Sequence, residues 1–314
     1  LLEFMERKRN RPRPRLLALL FFLHITAARG EDLVVYPEAP SPYREVFEQL
    51  LIGLARTAGE PLKRKTITAT TTAADFQTWK DDNNNPSTMV LLGQHALDLN
   101  AKSRPDKRYS TVVGGVVAWP GQVRWPGVSL AIDPALYLQT LRELMPKLQT
   151  VVVYYDARDE PWIAEVRKAA GANPRVEAIA VNNAGEVARK LERTFQTLDP
   201  KTTALWFGRD TIAYDTEALY PYILRQSWYR RIAVVADAIT YVRRGFLFAY
   251  YPNYTDIGAE LGELVRKVKT AGTGTSVRLT RAGQLTLNIR TAQNLSLDVP
   301  LSLTQRAKPL FPEP

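Results

Sequence analysis

Aromatic rings mixed with hydrogen-bonding groups recur in this 314-residue sequence at the ends of its β-rich runs. DLVVYP runs out at Tyr36-Pro37-Glu38, and the loop beyond it adds Ser41 and Tyr43. TMVLLG is followed by Gln94 and His95, and TVVGGVVAW ends on Trp119. Later runs end in Tyr155-Asp156, in Trp206 followed by Gly208-Arg209-Asp210, in Asp237, and in Tyr250-Tyr251-Pro252. Ring faces hold flat molecules, and an arginine grips a carboxylate through two parallel hydrogen bonds. Of these, Tyr36, Ser41, Tyr43, Gln94, His95, Trp119, Tyr155, Asp156, Trp206, Arg209, Asp210, Asp237 and Tyr250 are the candidate ligand contacts. Singly, each has a plainer reading as a side chain placed where a strand meets water. Arg209 has the further alternative of pairing with Asp210 or Asp215. Only the set carries weight.

Covalent chemistry finds no support elsewhere in the chain. There is no cysteine, which excludes disulfides, thiolate nucleophiles and cysteine-bound metals. Beyond the first 28 residues a single histidine, His95, is left, too few for a two-histidine metal site. No G-x-S-x-G elbow, P-loop or strand-borne G-x-G-x-x-G occurs. DDNNNP, from Asp81, alternates oxygens like a calcium loop, but Pro86 stands at the sixth position and Leu92 at the twelfth, so it reads as a polar turn. Asn253 and Asn294 open short glycosylation-like triplets of a kind that arise by chance. Asp210 and Asp215 are carboxylates that nothing in the sequence brings together. The expectation is a binding protein rather than an enzyme, with no metal or cofactor.

The elements that must position the set alternate. Phe47, Leu50, Leu51, Leu54 and Ala58 recur at helical spacing after Ser41-Pro42 and stop at Gly59. Asp133-Pro134 opens ALYLQTLRELM, and Asn183 with Glu186 opens GEVARKLERTF as a cap with its reciprocal acid. A helix is expected over Thr216 to Arg225. A last long helix carries Ile257, Leu261, Leu264, Val265 and Val268 on one face. Strands alternating with helices imply parallel sheets covered on both faces. The alternation restarts near residue 150, which fits two α/β lobes. In such sheets ligands bind beyond the carboxyl ends of the strands, where the aromatic set lies.

Composition agrees with a globular, exported protein: 45% of residues are hydrophobic and 24% charged. MERKRNRPRPR followed by LLALLFFL and ITAARG reads as a signal peptide over residues 1–28, cleaved after Ala28 or Gly30; its apolar core is too short to span a membrane. The four residues before Met5 read as upstream sequence. No cysteine follows the apolar core to take a lipid, so the expected location is the periplasm. Without 1–28 the net charge falls from +10 to +6, 36 basic against 30 acidic residues, with no clustering of the kind nucleic acid requires.

From Gly127 onward, and most closely from Tyr250 to the end, the sequence resembles the ABC transporter substrate-binding proteins of the tryptophan/tyrosine-binding branch. The residues that carry this are the tyrosine-rich turn and Asp-x-Gly helix start of YYPNYTDIGAEL, the strand LTLNI, and the closing RTAQNLSLDVPLSLTQRA. The resemblance implies a type I periplasmic-binding-protein fold: two Rossmann-like lobes with parallel sheets, joined by a hinge, with a small ligand in the cleft. Lobe boundaries are expected at 31–128 plus 252–285 and 129–251 plus 286–314. Tyr250 and Tyr251 would then lie near a crossing between lobes, with one tyrosine facing the cleft and the others packing, the alternative being all three as core. Three loops differ from the usual family text, at Tyr155-Asp156-Ala157, Gly208-Arg209-Asp210 and Gly93-Gln94-His95. The implied partners are a small amino-acid-like or aromatic ligand and an ABC permease, with a membrane sensor or histidine kinase as the alternative. The protein itself is expected to be monomeric.

Overall fold

A computed structural model describes residues 32–59, 62–83, 88–105, 109–208, 219–271, 274 and 276–312. The expected signal peptide lies outside those residues, as do Arg209, Asp210 and the start of the helix expected from Thr216.

The chain runs β1 (Asp32–Pro37), α1 (Tyr43–Ala58), β2 (Leu62–Ile67), α2 (Ala73–Asp82), β3 (Thr88–Leu92), α3 (Gln94–Lys102), β4 (Ser110–Gly114) and β5 (Gly127–Ile132). It continues through α4 (Pro134–Leu144), β6 (Thr150–Asp156), α5 (Glu160–Ala170), β7 (Arg175–Val181), α6 (Ala184–Thr197), β8 (Thr203–Phe207), α7 (Leu219–Arg230), β9 (Ala233–Ala236), α8 (Ile239–Arg243) and β10 (Phe248–Pro252). The closing elements are α9 (Tyr254–Ala271), β11 (Val277–Thr280), β12 (Gly283–Asn288), α10 (Ile289–Asn294), α11 (Leu301–Arg306) and β13 (Leu310–Phe311).

Two sheets result, ordered β11-β5-β4-β3-β1-β2 and β13-β12-β10-β9-β8-β6-β7. Strands β1 to β5 and β6 to β10 pair in parallel with the same doubly wound progression, while β12 runs antiparallel to β10. TMVLL in β3 and TALWF in β8 are buried at every position, as expected of strands covered by helices on both faces. The two-lobed α/β architecture expected from the alternation is the one observed.

The chain crosses between sheets after β5, after β10 and after β11. Ladder pairing moves these crossings relative to the expected boundaries. β5 stays with β11 as far as the Ile132–Thr280 pair, past residue 128. β12 already pairs Gly283 with Pro252, ahead of residue 285. Backbone bonds tie the crossings together: Asp133 donates to the Thr280 carbonyl at 2.8 Å, and Asn253 to that of Ala282 at 3.0 Å.

Local departures from the sequence reading have local causes. Ser41-Pro42 reads as a helix cap and first-turn proline, but Pro42 occupies the cap position of α1, because the Ser41 hydroxyl donates to Glu45 Oε1 at 2.7 Å instead of accepting a backbone N–H. In TVVGGVVAW the strand stops at Gly114. The rest leaves the ladder, because Ala118 donates to the Ser129 hydroxyl at 3.0 Å and Val116 accepts from Leu130 N at 2.8 Å. Asn183 Oδ1 does cap α6 through Glu186 N, but Glu186 Oε2 returns to Asn182 N rather than to Asn183.

Helix α9 crosses back to the first sheet and buries Ile257, Leu261, Val265 and Val268 with Leu50 and Leu54 of α1 and the strand valines Val34, Val90, Val112 and Val128. The two helices meet at backbone distance. A Cβ on Gly258 would stand 2.1 Å from the Leu50 carbonyl oxygen, and one on Gly53 would stand 1.8 Å from that of Thr255. Asp256, in the same turn, accepts from Arg56 Nη2 at 3.2 Å and from Asn253 Nδ2 at 2.6 Å. Backbone on both sides cannot yield as a side chain would. Gly258→Ala should therefore cost about 1–3 kcal/mol in urea unfolding, whereas Gly185→Ala in α6, where the nearest atom lies 3.5 Å away, should leave the midpoint unchanged or raise it. Equal midpoints for the two variants would rule out the close contact.

Candidate functional site

Beside the crossings lies a cavity of about 440 Å³. The first-sheet side contributes Val117 and Trp119 from the loop after β4, Leu130 to Ile132 from the end of β5, and Tyr254 at the start of α9. The second-sheet side contributes Tyr137, Asp159, Trp162, Trp206, Asp237, Tyr250 and Pro252. Both sides are needed to enclose it.

A ring stack builds the second-sheet wall. Tyr137, in the first turns of α4, stacks on Trp206 with centroids 4.5 Å apart, and Trp162 of α5 meets Trp206 edge-on at 5.3 Å. Trp162 reaches across the end of β8 only because residue 208 is glycine; a Cβ there would lie 2.3 Å from its ring. Tyr250 packs its ring edge against Tyr137 at 5.1 Å and shares a 2.8 Å hydroxyl bond with Thr140. Such geometry is characteristic of aromatic pairs and fixes the rings. Trp206 is 1% exposed, and its indole N–H meets no acceptor among the described residues.

The Tyr137 hydroxyl also completes a strand. It donates to the Tyr250 carbonyl at 3.1 Å and accepts from Tyr250 N at 3.2 Å. β9 pairs with β10 only as far as Ala249, so this hydroxyl takes the place of the next residue in the ladder. Burial first, then the negative charge of Asp237, pushes the Tyr137 phenol well above its ordinary value. It stays a neutral donor at any physiological pH.

Of the residues singled out by sequence, Trp119, Trp206, Asp237 and Tyr250 line this cavity. The others lie elsewhere or outside the described residues. Tyr36 lines a separate hollow of about 530 Å³ between β1, α1 and β2. Ser41 bonds Glu45, and Tyr43 is 65% exposed. Gln94 donates to Asp98 at 2.7 Å, and a ring nitrogen of His95 lies 3.0 Å from the Thr68 carbonyl. Tyr155 packs its ring into the core and donates to Glu160 Oε2 at 2.6 Å at the core's edge. Asp156 folds the turn into α5: it accepts from Arg158 N and binds the Arg158 guanidinium at 2.8 Å through both oxygens. Those bonds hold its carboxyl down at about 2. Arg209 and Asp210 lie outside the described residues.

Tyr137, Asp159 and Trp162 were not singled out by sequence, and Tyr254 only as one of the three tyrosines of its turn. Each begins a helix or lies in its first turns, just beyond the strand end where the search stopped. The signal was available: a helix that follows a parallel strand starts at the same sheet edge, so its first turn faces the same opening. Both Tyr250 and Tyr254 of the tyrosine-rich turn line the cavity, whereas one tyrosine was expected there. The Tyr251 hydroxyl donates to the Lys308 carbonyl at 2.8 Å.

Among the described residues, no group of three His, Asp or Glu side chains is arranged to hold a metal. No helix among them is long and apolar enough to cross a membrane.

Residues 127–310, more than half of the chain, match the family model of ABC transporter substrate binding proteins. Among solved structures, the chain is similar to the ligand-free, open form of a substrate binding protein with adhesive properties from Clostridium difficile. That likeness has 16% identity and a TM-score of 0.59, covering 88% of this chain and 98% of that one. It is also similar to an ABC domain in complex with L-Trp from Streptococcus pneumonia, with 16% identity and a TM-score of 0.50, over 90% and 100% of the two chains. At such identities the likeness establishes the shared fold. No curated protein matches the sequence.

Two outcomes follow from the geometry. Tyr137→Phe leaves both backbone groups of Tyr250 without their partner and should cost about 1–3 kcal/mol in urea unfolding; an unchanged midpoint would remove the hydroxyl from the ladder. Asp156 contributes stability above its ordinary carboxyl range that is lost as pH falls through about 2. In a carboxyl NMR titration, Arg158→Ala should therefore move the Asp156 midpoint from about 2 up toward 3.8, and a midpoint that stays put would refute the pairing.

Proposed function

The chain belongs to the ABC transporter substrate binding protein family, and from that premise we propose that it captures a small aromatic or amino-acid-like molecule between its two lobes and delivers it to an ABC importer. The work is done in the periplasm, after export on the leader at 1–28, by binding and lobe closure without covalent chemistry. One observation carries the reading. A cavity of about 440 Å³ has aromatic rings from both sheets and only a few polar groups, the size and lining that suit a single small ligand. Trp119 and Tyr254 stand on one side of it, Trp162 and Trp206 on the other. A ligand stacked between them links the two sides, so binding favours the closed arrangement by its extra contacts.

A ligand of the tryptophan or tyrosine class is the first candidate, on the resemblance of the YYPNYTDIGAEL turn and the closing segment to that branch and on the ring lining. The three crossings suit a hinge: short, bonded to each other through Asp133–Thr280 and Asn253–Ala282, and free of any further strand pairing between the sheets among the described residues.

A thermal-shift screen of the mature chain against aromatic amino acids, aromatic amines and acids, nucleosides and small peptides tests this directly. A ligand at 100 times its Kd adds about 2.7 kcal/mol to the native state, a clear rise in Tm. Trp119→Ala should then weaken the hit by roughly tenfold or more, through lost ring contact, with little change in the unliganded Tm. A panel with no hit, or a hit indifferent to Trp119→Ala, would argue against ligand capture in this cleft.

A further inference from the structure

Helix α7 turns an aromatic and basic face to solvent. It buries Leu219, Tyr220, Ile223 and Ser227 against the second lobe. On the opposite side, at three- and four-residue spacing, it exposes Pro221, Arg225, Trp228 and Tyr229. Tyr229 is 85% exposed and Trp228 39%, two large rings side by side on the surface. Arg290 of α10 stands over the Trp228 ring at 5.8 Å, and Asn294 donates to the Trp228 carbonyl at 3.1 Å, which fixes α10 to this turn. Arg230 is tied down by Gln226 and the Phe195 carbonyl. Among the described residues, Arg225, Arg231 and Arg290 meet no carboxylate. Neither α7 nor α10 contains an acid, and arginines still outnumber acids when Glu192 of α6 and Asp298 beyond α10 are counted. The helix starts at Leu219, about 13 Å of helix away from Trp228. Because α7 joins the parallel strands β8 and β9, its last turn lies at the edge of the sheet opposite the cavity.

We propose that this turn is a membrane-contact surface: Trp228 and Tyr229 settle into the headgroup layer of an anionic lipid bilayer while Arg225, Arg231 and Arg290 meet its phosphates. The side chains suit that boundary. Tryptophan and tyrosine join an apolar ring to a polar tip and concentrate where membrane meets water. An arginine holds phosphate through paired hydrogen bonds, and each basic residue near an anionic surface strengthens attachment about fivefold. The shape favours lipid over an acidic protein partner. Tyr229 stands almost bare at a helix end, and a fluid headgroup layer admits such a projection without a matching pocket. Contact at this edge leaves the cavity open on the far side of the lobe, so attachment and ligand capture are compatible, and neither requires the other.

The test is co-sedimentation of the full mature protein with phosphatidylcholine vesicles made with and without phosphatidylglycerol. The protein is expected to pellet with the anionic vesicles at low salt, to be released as salt screens the surface charge, and to stay in solution with phosphatidylcholine alone. Arg225→Gln and Arg290→Gln should each weaken partition roughly fivefold, and Tyr229→Ala should weaken it several-fold through the lost ring. Arg64→Gln, at an exposed arginine of β2 in the other lobe, should leave it unchanged. The two vesicle types read the lipid preference on the unaltered protein even if a variant fails to fold. No pelleting with anionic vesicles would overturn the inference. So would equal losses from Arg64→Gln and Arg225→Gln, which is the behaviour of any basic protein without a dedicated surface. If polyglutamate is bound through the same residues and vesicles are not, the surface takes an acidic protein and the lipid inference falls. The thermal-shift screen reads ligand capture separately, so either conclusion can fail while the other stands.

Discussion

The backbone contact between α1 and α9 is the constraint from which the site follows. α9 is the element by which the chain, having built strands β6 to β10 of the second sheet, returns to the first. It can lie on that sheet only by sharing the surface with α1, and there is room for it only because Gly53, Gly258 and Gly262 bring helix backbones together without side chains between them. Docked that closely, α9 fixes where β10 must end and the second crossing must fall. Pro252 and Tyr254 are then held at the opening, one on each side of the crossing. Apolar burial of Ile257, Leu261 and Val265 supplies the attraction, and the glycines set the distance.

The same economy of position governs the second-sheet wall. Tyr137 serves three neighbours at once: its ring supports Trp206, its edge meets Tyr250, and its hydroxyl finishes the ladder where β9 has run out. A ring locked by so many partners presents a rigid face, and rigid faces bind with little loss of side-chain freedom. Asp156 shows the contrary case. It stands at a strand end, as a binding residue would, yet both its oxygens are committed to Arg158, and it shapes the turn that brings Asp159 and Trp162 to the cavity.

Asp159 and Asp237 are distant along the chain, with the whole of α5, β7, α6, β8, α7 and β9 between them, and both line the cavity because β6 and β9 flank β8 in one sheet.

The sequence alone determined the alternation of strands and helices, the two-lobed α/β class and the family resemblance. All of these rest on local pattern: buried β-rich runs, helical spacing of leucines, and the text of the final turns. It also pointed to strand ends as the place for a site, which located Trp119, Trp206, Asp237 and Tyr250 at the cavity. Tertiary structure alone decided which strand ends converge. Tyr36, Gln94 and His95 occupy equivalent ends of β1 and β3, yet they lie away from the cavity, because it forms where β5 and β10 cross and not along the whole edge of the sheet. Crossing points are set by ladder partners far apart in the chain, such as Ile132 with Thr280 and Pro252 with Gly283. Pairing of that kind leaves no periodic trace in either segment, and so the position of the cleft could be read only from the folded protein.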